Sequence, residues 1–378
     1  MLLPEDSVAL NSVFTGKQES LGKGAIQLVR AARYPDMRAL TWDGDCLYAS
    51  RGYELFRAKI QHPVDSLNWQ PIGAFHPTMW RSLSASNHLS SRLFRDGFHA
   101  LAVLPSGDLV AAVPGAIITF RPGQSEFRIT HRIKRGTRPL HITAVPGGGV
   151  YWGEYFDNPQ RDEVHIYGSL DRGLTWSVVY TFPSRAIRHV HNIVHDLWGN
   201  CLWILTGDYG DECRILRASY DFGQVETVRK GNQQARAVAM VPTAHALFFS
   251  SDTPLETNFI YRLDRNGLLS RVTEISSSSI YGCLVANRVF FSTMVEPGKV
   301  NLDRCVRIFG SCDTNGESFT SLLAWRKDRW PMRFFQYGNA FLPDGSNTTP
   351  YLAVTTIAVK PDDMVTSLYA VSSQPTLP

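Results

Sequence analysis

One unit recurs seven times along this chain: a short apolar strand that opens near a polar or aromatic residue, a tight turn, and a strand that returns. The opening strands lie at residues 37–42, 98–103, 140–145, 188–196, 235–240, 280–285 and 336–341. Starts spaced about 40 to 60 residues apart have the period of a four-stranded propeller blade. Third and fourth strands are legible at 163–167 and 177–180 after the third opening strand, and at 259–262 and 269–272 after the fifth. The pattern predicts an all-β, seven-bladed β-propeller that takes the chain from 1 to 378 as a single domain.

The last unit has only three strands of its own, ending at 367–371. A strand-like segment at about 25–30 precedes the first unit and is expected to complete the last blade. It would close the ring and remove the exposed sheet edges that an open array leaves. Between the first two units, residues from about 62 to 95 break the pattern. They read as an outer strand at 67–69 followed by an insertion loop at about 70–95.

Composition narrows the function classes. Nine Trp, fourteen Tyr, 29 Gly and 21 Pro favour short strands and turns. A net charge of +4 without any Lys/Arg block excludes a nucleic-acid patch, and no run of about 18 apolar residues predicts a membrane span. The first residues, Met1 to Asp6, lack a basic and apolar leader, so a cytoplasmic location is expected. Six scattered cysteines read as reduced thiols, with Cys305 and Cys312 alone near enough for a clip. Elbow, P-loop and dinucleotide motifs do not occur.

Ser169-Leu170-Asp171-Arg172-Gly173-Leu174-Thr175-Trp176 spells S-x-D-x-G-x-T-W, with degenerate copies at 219–225 and 311–319. It resembles the Asp-box of bacterial-neuraminidase-type (BNR) repeats. The resemblance implies a hairpin between the two outer strands of a blade, with the Asp capping backbone N–H groups. That makes it a marker of fold, remote from any channel.

The repeat register brings chemistry to the starts of the innermost strands: His99, His141, His189, His191, Arg236, Tyr281 and Gln336, with Arg188 just ahead of its strand. Strand alternation puts His189 and His191 on one side. Converging imidazoles can bind a divalent cation in or near the central channel, with His99, His141, His189 and His191 as candidate ligands, or act as acid and base. Acidic residues follow the second strands: Glu154, beside Tyr155, then Asp208, Asp211 and Glu212, then Asp252 and Glu256, then Glu296. They suit sugar hydroxyls or a cation.

The segments Tyr151-Trp152-Gly153-Glu154-Tyr155, Arg188-His189-Val190-His191, Thr206-Gly207-Asp208 and Asp252-Thr253-Pro254 resemble glycan-active propellers, in particular rhamnose–glucuronate polysaccharide lyases. This resemblance implies β-elimination on an acidic, uronate-containing oligosaccharide or polysaccharide. The catalytic set would be His189, His191, Arg188, Arg236 and Tyr155, with His189 or His191 as base and Arg188 or Arg236 neutralising the carboxylate. Substrate contacts would come from Glu154, Asp208, Glu212, His141, His99, Tyr281 and Gln336. Glycoside hydrolysis is the second enzymatic choice, although the early Arg-Ile-Pro of sialidases is missing. The rival reading is a non-catalytic platform that binds glycan, or a protein partner through its loop face, for example in exopolysaccharide biosynthesis.

Overall fold

A computed structural model describes residues 26–373. Seven sheets, antiparallel but for one added parallel strand in the first, are arranged as the blades of a β-propeller. Blade 1 is built from Arg38–Gly44, Cys46–Arg51, Glu54–Lys59 and Gln70–Ala74, and blade 2 begins at Ala100–Val103. Blade 3 begins at Thr143–Ala144, blade 4 at His189–Asp196, blade 5 at Ala237–Pro242 and blade 6 at Ser279–Val285. Blade 7 consists of Asn339–Phe341, Tyr351–Ile357, Val365–Ser373 and, on its outside, Ile26–Pro35.

Middle strands such as Leu109–Val113 and Cys201–Gly207 are buried along their whole length, because each blade is covered on both faces by its neighbours. The core is accordingly divided into seven apolar clusters, each shared by two adjacent blades. Tyr151, Ile166 and Phe182 of blade 3 meet Val190, Ile193 and Leu202 of blade 4. Closing the circle, Trp42 and Leu47 of blade 1 meet Tyr351 and Leu368 of blade 7. The N-terminal strand seals that junction, pairing from Ile26 opposite Ser373 to Pro35 opposite Val365. Ala25, at the start of the expected strand, lies outside the described residues.

Two departures from the sequence reading shape the channel. The outer strand of blade 1 is Gln70–Ala74, whereas Leu67 and Trp69 pack into the junction of blades 7 and 1. The segment beyond it is a helical hairpin, Met79–Ala85 and His88–Phe94, rather than a loop. Asn87 caps the second helix by accepting from the N–H groups of Leu89 and Ser90, and Arg95 ends it in the left-handed conformation at φ 54°. The wholly buried Arg92 guanidinium bolts the hairpin across the ring, reaching Asp328 at 2.7 Å, Asp363 at 2.8 Å and the Phe335 carbonyl at 2.6 Å. Met79, Trp80, Leu83 and Phe94 of the hairpin face solvent.

The second departure is a short strand, Asp344–Asn347, laid parallel to the innermost strand of blade 1 with Thr41 opposite Asp344. It fills the channel toward the far end of that strand. Gly345 has φ 88°, and a Cβ there would come within 2.1 Å of the Trp42 carbonyl oxygen, so only glycine lets the two backbones meet.

In the hairpin between the outer strands of blade 3, Asp171 accepts from the N–H groups of Leu174 and Thr175 and from the Ser169 hydroxyl. Asp221 and Asp313 cap the matching hairpins of blades 4 and 6. All six cysteines are free thiols, so Cys305 and Cys312 form no clip.

Candidate functional site at the channel mouth

The starts of the innermost strands surround a cavity of about 1240 Å³ under the helical hairpin. Blade 4 contributes most of its chemistry. His189 pairs with Gly207, Val190 with Thr206 and Asn192 with Leu205, which leaves His191 in a β-bulge. The bulge turns both rings into the cavity side by side. Gly207 makes room for them, since a Cβ there would sit 2.5 Å from His191 Cε1.

The orientation of the two rings fixes their protons. His189 Nδ1 lies 3.1 Å from the Phe156 carbonyl oxygen and His191 Nδ1 lies 2.9 Å from that of Ala237. A carbonyl only accepts, so each Nδ1 is the donor and each neutral ring keeps its lone pair on Nε2. These two Nε2 atoms are 3.2 Å apart, and Asp208 Oδ1 lies 3.5 Å from the first and 3.2 Å from the second. Three lone pairs therefore face one another with no proton between them.

Two outcomes relieve that repulsion: protonation of a ring, or a cation. Burial opposes ionisation of Asp208, but the facing histidines, if charged, hold its carboxyl far below the usual range. Charging them is the difficulty, because burial lowers His191 in spite of Asp208. A bound cation avoids the conflict. A tetrahedral zinc site with bonds of about 2.0–2.1 Å has ligand atoms roughly 3.3 Å apart, close to the spacing here. Donation of Nδ1–H to a carbonyl is the outer shell such ligands ordinarily carry.

Cationic side chains complete this side. Arg188 bonds Asp208 Oδ2 at 3.0 Å and also pairs with Asp157. Arg236 lies 3.4 Å from Asp208 Oδ1 and 3.6 Å from Asp252. Gln233 donates to the Asp208 carbonyl at 2.9 Å, and so positions its backbone. Burial raises the Asp252 carboxyl even with Arg236 beside it, and Glu296 and Asp208 add like charge. Glu296 is raised as well, mainly by burial. Tyr155 sets its ring 4.3 Å from that of His189 at a tilt of 42°, and burial with the nearby carboxylates pushes its hydroxyl up to about 12.

Of the residues predicted from sequence, Tyr155, Arg188, His189, His191, Asp208 and Arg236 meet on this side of the cavity, with Asp252 and Glu296. His99, Tyr281 and Gln336 line other walls. His141 sits deeper, 2.9 Å from Asp344, and it and His99 stand apart from the His189–His191 cluster.

Glu154 and Glu212 require correction. Both oxygens of Glu154 are taken by Arg135, with the His165 N–H adding a third bond, and the side chain is buried away from the cavity. Glu212 pairs with Arg161 at 2.6 Å outside the cavity wall. Both are structural ties. Sequence reasoning missed Arg38, Arg95 and Arg138 on the opposite wall. Only Arg38, one residue into an opening strand, carried a local signal.

With this geometry in hand, the class is a seven-bladed propeller with a polar channel mouth. No protein-family description matches the chain, and no curated protein matches it. Solved structures resemble it in fold. The WD40 propeller domain of Doa1 aligns with a TM-score of 0.53 at 12% identity, over 93% of this chain and 98% of that one. A catalytically inactive virginiamycin B lyase from Staphylococcus aureus, bound to quinupristin, aligns with a TM-score of 0.55 at 11% identity, over 92% and 99%. At such identities the likeness is one of fold alone.

Proposed function

We propose that the channel mouth holds a divalent transition cation on His189, His191 and Asp208 and performs lyase-type β-elimination on an acidic, uronate-containing glycan. The observation that carries the reading is the convergence of His189 Nε2, His191 Nε2 and an Asp208 oxygen at a cavity large enough for an oligosaccharide. The cation would supply Lewis-acid neutralisation of the uronate carboxylate.

This chain's own groups supply the proton transfers. With a cation bound, both imidazoles would be committed at both nitrogens, and on this reading a carboxylate rather than His189 or His191 abstracts the proton. Asp252, in the cavity wall, takes the C5 proton in its ionised form, which burial makes a stronger base and displaces to higher pH. The C5–H electron pair forms the C4–C5 double bond, and the C4–O bond breaks with its pair remaining on the leaving oxygen. Tyr155, still protonated at neutral pH, donates to that oxygen. Arg236 and Arg188 keep Asp208 ionised and in place.

The platform reading has one observation in its favour, the solvent-facing Met79, Trp80, Leu83 and Phe94 of the helical hairpin. Ultraviolet absorbance of the unsaturated product separates the two. Protein loaded with Zn²⁺ or Mn²⁺ is incubated with a panel of uronate oligosaccharides, with and without chelator. Product should accumulate only with metal and vanish in His191→Ala. A flat trace from metal-loaded protein across the panel overturns elimination in favour of the platform.

A further inference from the structure

The wall opposite the histidines carries three guanidiniums, Arg38, Arg95 and Arg138. Arg38, at the start of the innermost strand of blade 1, donates from Nη2 to the His99 carbonyl at 3.3 Å and lies 4.2 Å over the ring of Phe341. Arg138 donates from Nη1 to the carbonyl of Arg95 at 2.8 Å. Arg95 itself is held at the rim by the left-handed turn that ends the hairpin. Among the described residues none of the three forms an ion pair with a carboxylate, although all three line the cavity. Two neighbouring carboxylates are engaged elsewhere, Asp96 by Arg81 and the Tyr53 hydroxyl and Asp344 by His141, while Asp36 and Glu54 also line the cavity without an ion pair to these arginines.

Proximity of these like charges has a cost visible in their titration. Burial first, then Arg38 and Arg95, brings Arg138 down to about 10. His99 is lowered well below its ordinary range by burial and then by Arg138 and Arg38, so its ring stays neutral. Burial raises the Tyr281 hydroxyl, which remains a neutral donor in the same wall. A cluster of guanidiniums left without an ion pair inside a concave site is an arrangement that structural ion pairing does not produce.

We infer that Arg38, Arg95 and Arg138 form a second anion subsite, which takes a carboxylate or sulfate group carried by the ligand whose other end meets His189, His191 and Asp208. Guanidinium forks suit such planar or tetrahedral oxyanions through paired N–H···O bonds. The inference rests on the proposed function only in joining both ends to one ligand, and it narrows that ligand to a glycan with at least two acidic groups.

The experiment uses the full chain, stripped of metal with chelator, and inorganic sulfate as the probe in isothermal titration. Saturable sulfate binding should appear, weakened at least tenfold in Arg138→Gln and in Arg38→Gln, and about threefold in the exposed rim variant Arg95→Gln. The same variants should bind Zn²⁺ as the parent does, which also shows that they are folded. Sulfate binding that does not saturate, or that survives Arg38→Gln and Arg138→Gln unchanged, overturns the subsite. Saturable binding in a protein that fails the elimination assay would retain the subsite and discard the reaction, so the two ideas fail separately.

Discussion

Asp208 sits among two imidazoles and two guanidiniums on one side of the channel mouth, whereas Arg38 on the other side meets only a backbone carbonyl and the face of Phe341. The blade 4 and 5 wall neutralises its charges internally, so its geometry is settled when the protein folds. The blade 1 to 3 wall gathers three guanidiniums that form no ion pair among the described residues. A fold tolerates such a conflict where the missing partner arrives from outside. On the proposed reading, one wall holds a small cation fixed and the other receives an anion that comes and goes.

Removing the centre of the balanced wall should have the largest effect. Asp208→Ala strips Arg188 and Arg236 of their shared carboxylate in a mostly buried setting, and breaking such a network costs about 3 kcal/mol. Urea denaturation should show the midpoint falling accordingly, and metal titration should show Zn²⁺ binding lost. An unchanged midpoint would mean that both guanidiniums find water or Asp157 and Asp252 instead, and the contrast between the walls would collapse.

A smaller effect should follow from detaching the unbalanced wall. Arg92→Met leaves Asp328 and Asp363 without their buried cation, although Lys327 still pairs with Asp328. Roughly 2–3 kcal/mol of stability should be lost. Because Arg95 and the carbonyl that orients Arg138 belong to the same hairpin, limited proteolysis should cut within residues 79–94 while Zn²⁺ affinity holds. Loss of both together would show that the two walls are one cooperative unit.

The sequence made the ring legible because its repeat is carried by apolar alternation, which survives degeneration of any single motif. It also pointed to His189, His191 and Asp208, since one strand and the turn after its neighbour bring them together locally. Gly207 was the overlooked signal there, as only a residue without Cβ leaves room for the His191 ring. The opposite wall was hidden because Arg38 comes from the start of a strand and Arg95 and Arg138 from two separate blade connections, and no local pattern records their convergence. Glu154 occupied the expected place in its unit but faces Arg135, which lies in the preceding connection. The channel-filling strand Asp344–Asn347 is polar and glycine-containing, against strand propensity, and pairs only because blade 1 offers it an edge.

The finest test of the comparison concerns Asp252, a carboxyl of the balanced wall that burial, as for Glu296, keeps hard to ionise. In the unfolded chain it ionises near its ordinary value of about 3.9. In the folded protein it holds its proton to higher pH, so between those limits the native state binds more protons than the unfolded one. Stability contributed at this position must then fall as pH rises through that window. Asp252→Asn, which mimics the protonated form, should match the parent near pH 4 and exceed it increasingly toward pH 8, by about 1 kcal/mol. Urea midpoints across that range measure the difference. A variant that instead loses ground as pH rises would show Asp252 ionised beside Arg236, its pairing outweighing burial, and would leave it a ready but weaker base in the elimination. The blade 4 and 5 wall would then be balanced throughout, with the basic wall alone holding charge in need of a ligand.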